Sequence, residues 1–178
     1  MGGPSWRSRP WRARSLKTAL RRYPGDKSRP ASFPGANVRG RREAVLDCIE
    51  IFSHDEASLW VWPARRVVHH QVHHPLTGPQ FRELLTRSTE VMIRYGAAKR
   101  LSDNRKDRLG APADQQWARS VWMPRTIGAG WKYWALVQPE ELSQQAVMKS
   151  VTSFLYISGL ILQVFNEIEP ANAWLDLQ

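Results

Sequence analysis

Cysteine is almost missing from this 178-residue chain. The single Cys48 excludes an intrachain disulfide, and its place in the apolar alternation of Leu46 to Phe52 suits a small core residue. Long hydrophobic runs are missing too. The longest, Phe154 to Phe165, is broken by Ser158, Gly159 and Gln163 and falls short of the roughly 20 apolar residues a helix needs to cross a bilayer, so no membrane span is expected. There is no GxGxxG, Walker loop, GxSxG elbow, CxxC or HExxH, so the common signatures of dinucleotide binding, phosphate cradling, serine hydrolysis, thiol redox chemistry and zinc hydrolysis are absent. Neither repeats nor low-complexity stretches occur after residue 43.

Acid is scarce at one end only. Met1 to Arg42 holds twelve Lys and Arg against the single acid Asp26, whereas Glu43 to Gln178 holds fourteen against fifteen, so the net charge of +10 is +11 from the first part and −1 from the second. The basic balance therefore says nothing about the second part. Residues 1–42 are rich in Arg, Pro, Gly and Ser and poor in aliphatic side chains, a composition that cannot repay the entropy of ordering a backbone, and a disordered tail is expected. Arg21-Arg22 is not followed by an apolar stretch, which argues against a secretory or twin-arginine signal, although the composition also suits a transit peptide. Arginines interleaved with Trp6 and Trp11 offer a weak polyanion contact, since they can neutralise phosphates and stack.

From Ala44 onward the pattern is of alternating strands and helices. Ala44–Phe52 alternates apolar and polar residues as a strand does; Leu59–Trp62 and Val67–His73, separated by the polar turn Pro63–Arg66, form a hairpin. Thr77 and Gln80 have capping-box spacing ahead of Phe81, Leu84, Leu85, Ser88, Val91, Met92 and Tyr95, and Gly96 stands where a helix should stop. Then come a brief strand at Lys99–Ser102, a helix at Pro112–Met123 stopped by Pro124, a strand at Lys132–Val137, a long helix at Glu141–Ser158, a strand at Leu160–Phe165 and a closing helix at Pro170–Leu177. After the opening strands the order α-β-α-β-α-β-α with short connections predicts a largely parallel sheet with crossover helices.

Three constellations hold the chemistry. His69, His70, His73 and His74 invite a metal, but on a strand the same-face pairs are four residues apart, roughly 13 Å, too far to share one ion. Half-buried strand histidines or a pH-sensitive face are expected instead. Ser102, Asp103, Asn104 and Arg105 fall at the C-terminal end of a parallel strand, the edge of an open α/β sheet where ligands bind. Trp117, Trp122, Trp131 and Trp134 crowd into 18 residues; core is the first expectation, with Trp117 and Val121 on one buried helical face, and an apolar pocket wall or an interface the second. Asp103, Asp107 and Asp114 are near one another, yet nothing fixes an acid–base geometry among them.

The segments Arg66–Gln71 (RVVHHQ), Gly78–Leu84 (GPQFREL), Leu101–Arg105 (LSDNR), Asp114–Gly130 (DQQWARSVWMPRTIGAG), Trp131–Pro139 (WKYWALVQP), Leu162–Phe165 and Trp174-Leu175 resemble bacterial STAS/SEC14-type proteins of the SpoIIAA-like fold, over about Ala44 to Gln178. The resemblance implies an α/β fold with a mixed, largely parallel sheet, a cytoplasmic location, and binding rather than catalysis. In STAS-type anti-sigma factor antagonists the switch is a phosphorylatable Ser or Thr in a DSSG-like motif after a central strand. Here that place reads Asp103-Asn104-Arg105-Lys106, with Ser102 before the acid, so no phospho-switch is expected. The expectation is a non-enzymatic module without cofactor or metal, contacting a protein partner or a second copy through Ser102, Asp103, Asn104, Arg105, Trp117 and Trp122. The alternatives are a pocket for a small apolar or lipid-like ligand, and a small hydrolase-like enzyme using Asp103 and a histidine.

Overall fold

The computed structural model describes residues 48–107, 111–139 and 159–178. The tail expected over 1–42, the start of the first strand at 44–47 and the helix expected over 141–158 lie outside the described residues. The elements in chain order are β1 (Ile49–Ser53), β2 (Ala57–Trp62), β3 (Val67–Val72), α1 (Gly78–Tyr95), β4 (Lys99–Asp103), α2 (Pro112–Trp117), a π-helical turn (Ala118–Trp122), α3 (Met123–Gly128), β5 (Tyr133–Val137), β6 (Ile161–Phe165) and α4 (Ile168–Asp176). The six strands lie side by side in sequence order. β1, β2 and β3 are antiparallel neighbours; β3 to β6 run parallel. The structure is thus α/β with a mixed sheet, as the alternation of strand and helix patterns predicts.

Register decides what each face carries, because residues paired across adjacent strands point to the same side. Val68, His70, Arg100, Ser102, Trp134 and Leu136 share one face. With Leu59 and Val61 of β2, this face meets Leu85, Val91 and Met92 of α1 and Trp122 and Met123 of the following helices in the main core. Each fully buried Leu or Val there contributes about 1.5–3 kcal/mol relative to an exposed one. The opposite face carries Trp60, Trp62, His69, Leu101, Asp103, Ala135 and Val137. Over β5 and β6 it meets α4, whose Trp174 ring lies 6.4 Å from Tyr133 and 6.0 Å from Phe165.

Two local expectations change. Thr77 occupies the N-cap of α1 but makes no side-chain cap bond. Instead Asp114, from α2, accepts the Gly78 amide at 2.6 Å and the Arg82 Nε–H at 3.1 Å, so the cap comes from another helix. Gly96 does stop α1: at φ 59 it takes the left-handed conformation that glycine adopts at little cost, and its N–H returns to Ile93 while that of Ala97 returns to Met92.

The second change is at Pro124, which does not end its helix. Proline removes an N–H and its ring clashes with the carbonyl four residues back, here Ser120. The chain answers by widening into the π turn just before it, where Met123 N–H bonds Ala118 one residue further back than in an α-helix, and α3 then continues to Gly128. The widening also rotates the side chains. Val121 is 50% exposed and Trp122 4%, so the buried face runs through Trp122 and not Val121.

Candidate functional site

The parallel strands end on one edge, and β4 leaves it with a buried carboxylate. Asp103 Oδ1 and Oδ2 accept the Arg105 Nε–H and Nη2–H, both at 2.9 Å, and Oδ2 also accepts Gln71 Nε2–H from β3 at 2.9 Å. The Arg105 amide adds a 3.3 Å bond to Oδ1. Burial by itself would raise the Asp103 carboxyl, but the Arg105 guanidinium and amide outweigh it and hold the group below the usual carboxylate range. The following loop is pinned as well. The Asn104 amide bonds Val137 O of β5, the Asp107 amide bonds Asn104 O, and Asp107 Oδ1 accepts the Leu76 amide at 3.3 Å.

A second network runs inward from Asn104. Its Oδ1 lies 3.1 Å from His70 Nε2, and His70 Nδ1 lies 3.0 Å from Arg100 Nη2. A guanidinium can only donate, so Nδ1 is the acceptor and the proton of the neutral ring sits on Nε2, donated to Asn104. Burial, then the neighbouring Arg100 charge, holds His70 well below the ordinary histidine range. Arg100 also donates from Nη1 to Ser88 Oγ at 2.6 Å and from Nε to Ser102 Oγ at 3.3 Å. Ser102 Oγ accepts Trp134 Nε1–H at 3.0 Å. The guanidinium lies 4.7 Å from the Trp122 ring centre and 5.7 Å from that of Trp131, fully buried, and burial pushes it down to about 9. The tryptophan density thus has a specific use: a cation cage inside the core.

The opposite face carries a third group. Ser53 Oγ of β1 bonds Ser58 Oγ of β2 at 2.8 Å, and Ser58 Oγ meets His73 Nε2 at 2.9 Å. Next along β3, the His69 ring sits 5.3 Å from Trp60 and 5.7 Å from Trp62, and burial pushes it down to about 3. His69 and His70 are therefore fully buried and not half-buried. Ser58 is itself 1% exposed, which keeps its hydroxyl from acting as an accessible nucleophile.

Of the six residues singled out from the sequence, four are contiguous at this edge and two are not. Asp103, Asn104 and Arg105 form its rim. Ser102 is 1% exposed and faces the Arg100 cage. Trp122 lies in the core, its indole N–H donated to Leu85 O at 3.0 Å and Thr89 Oγ1 at 2.9 Å. Trp117 is partly buried beneath Arg82, whose guanidinium carbon lies 5.3 Å from the ring centre. Gln71, His70 and Arg100 were not singled out for this edge. None of the three carries a local signal, because each takes its place here from a partner at least 30 residues away in the chain.

Among the described residues no three His, Cys, Asp or Glu side chains group to hold a metal ion. A shallow cavity of about 290 Å³, lined by Ile127, Trp131, Lys132, Tyr133 and Ile161 with two glycines, opens at the other end of β5 and β6, away from the Asp103 rim. No helix among the described residues is long and apolar enough to cross a membrane. What fold and site define is an α/β chain with a charge-balanced polar rim at the C-terminal edge of its parallel strands. No family model, curated protein or solved structure matches the chain.

Proposed function

We propose that this chain is a non-enzymatic, STAS-like binding module of the SpoIIAA-like type, acting in the cytoplasm through protein contacts at the rim, where the buried Asp103 holds Arg105 in place beside Asn104. One observation carries this reading: the polar groups of the rim are tied to one another, Asp103 to Arg105 and Gln71, and Asn104 to His70. A general acid or base needs a proton-transfer position open to substrate, whereas a binding surface needs fixed side chains in fixed orientations. The consecutive order of the parallel strands β3 to β6, with helical crossovers from β3 to β4 and from β4 to β5, supports the fold-level part of the reading. The burial of Ser102 beneath Trp134 and Arg100 supports the absence of a phospho-switch, because a kinase would have to reach a hydroxyl that is 1% exposed.

The test is side-by-side affinity capture with the tagged wild-type chain and with Arg105→Ala, whose side chain is 40% exposed. A partner held by the wild type and lost from Arg105→Ala, with unchanged near-UV circular dichroism, is the expected result. Equal retention of every partner by both proteins rejects the rim as the contact surface.

A further inference from the structure

The two edges of the sheet are built differently. β1, at one edge, carries the exposed Glu50 and a register shift between Glu50 and Phe52, and charges and bulges of this kind blunt an edge against adding another strand. β6, at the other, reads Ile161-Leu162-Gln163-Val164-Phe165, with neither charge, proline, glycine nor bulge. Among the described residues no strand lies on its outer side. The parallel pairing to β5 uses Ile161, Gln163 and Phe165: the Ile161 amide bonds Lys132 O and the Phe165 carbonyl accepts the Gln138 amide. Strand geometry then turns the N–H and C=O of Leu162 and Val164 outward.

From this edge we infer that the chain forms a two-fold homodimer by antiparallel pairing of β6 with β6 of a second copy. The sequence of the strand selects that occupant. A two-fold axis through Gln163 sets Leu162 of each copy opposite Val164 of the other, so that their outward N–H and C=O groups are exchanged as paired hydrogen bonds. On one face Ile161, which is 51% exposed, meets Phe165 of the second copy, an aliphatic–aromatic cross-strand pair. At the axis Gln163 meets its own counterpart, and an amide can donate to and accept from an identical group, whereas a charged residue there would repel itself. The neutral strand is therefore self-complementary in this register. The contact is separate from the Asp103 rim and stands or falls apart from it.

The test is sedimentation velocity of the full chain across roughly 1–100 µM. The wild type should show a monomer–dimer equilibrium. Gln163 is exposed, so Gln163→Lys and Gln163→Glu should keep the wild-type circular dichroism while each weakens the dimer about tenfold or more, since like charges then face each other on the axis. Mixing the two variants should restore a dimer. A wild type that stays monomeric across the range, charge variants that dimerise as the wild type does, or a mixture that fails to reassociate would each overturn the inference.

Discussion

The guanidinium of Arg100 lies 4.7 Å from the centre of the Trp122 ring, shut off from solvent, and its hydrogen bonds go to Ser88, Ser102 and His70, none of them an acid. A desolvated cation against an aromatic face gains about 2 kcal/mol or more, which partly offsets the cost of burial. The arrangement binds β3, β4, α1 and the π turn at one point, so its loss should be felt throughout the domain. Arg100→Ala removes the cation and leaves a cavity lined by two indoles, and it should destabilise by about 3–5 kcal/mol. Arg100→Met keeps most of the volume and needs no counter-ion, and it should lose less than half as much. Urea unfolding of the two variants gives the comparison; equal losses would mean that the charge, not the volume, holds the site.

His69 and His70 are both buried, and burial lowers both, His69 to about 3. In the unfolded chain they titrate near the ordinary 6.5. Between those limits the unfolded state binds more protons than the folded one, so stability must fall as pH drops below about 6.5. For His69 the loss continues down to about 3, at about 1.4 kcal/mol per pH unit once the unfolded ring is fully protonated. Urea midpoints should therefore fall between pH 7.5 and 5.5, and His69→Phe, which keeps an aromatic ring against Trp60 and Trp62, should flatten the slope by about one proton. A wild-type midpoint that does not move over that range would contradict the burial of both rings.

Asp114 replaces the expected Thr77 cap, and it does so as a charge at a helix N-terminus, where the backbone dipole favours an anion. Asp114→Ala should cost about 1–2 kcal/mol, since it orphans the Gly78 amide, while the Arg82 guanidinium, 42% exposed, is left to water. Thr77→Ala should cost well under 1 kcal/mol, because no cap bond is lost with it. Thermal melts of the two variants check the order; the reverse order would return the cap to Thr77.

Where the local pattern decides the structure, the sequence was sufficient. The hairpin of Leu59–Trp62 and Val67–His73 about the turn Pro63–Arg66, the helical spacing from Phe81 to Tyr95 and the stop at Gly96 each follow from forces within a few residues, and the structure has all of them, with the strands running Ala57–Trp62 and Val67–Val72. The end of β4 was legible as well: the polar cluster after Leu101 marks it, and the structure ends the strand at Asp103. What could not be read depends on partners distant in sequence. Asp114 caps a helix that begins 36 residues earlier. Arg100 looks like a solvated strand residue until His70, 30 residues away, and Ser88, 12 away, are brought to it. The histidine spacing excluded shared chelation by same-face pairs, but not which rings would be sealed, because that depends on Trp60, Trp62 and Arg100.

The π turn offers the sharpest test of why the tryptophan face runs where it does. A π turn holds one residue more than the α-helix it interrupts, so deleting an exposed residue inside it should restore α geometry and keep Trp122 in the core. Val121 is that residue, but its deletion alone would put Pro124 in a regular helix against the carbonyl of Arg119, at a cost of about 3 kcal/mol. Combined with Pro124→Ala, the clash disappears and the helix regains an amide donor. The deletion alone should therefore destabilise by about 3 kcal/mol, and the double change should return to within about 1 kcal/mol of the wild type. Urea unfolding of both, followed by circular dichroism, separates two causes. If the deletion alone is tolerated, Pro124 is not what widens the turn; if the double change is as unstable as the single, Trp122 needs the extra residue for its place between Leu85 and Trp131.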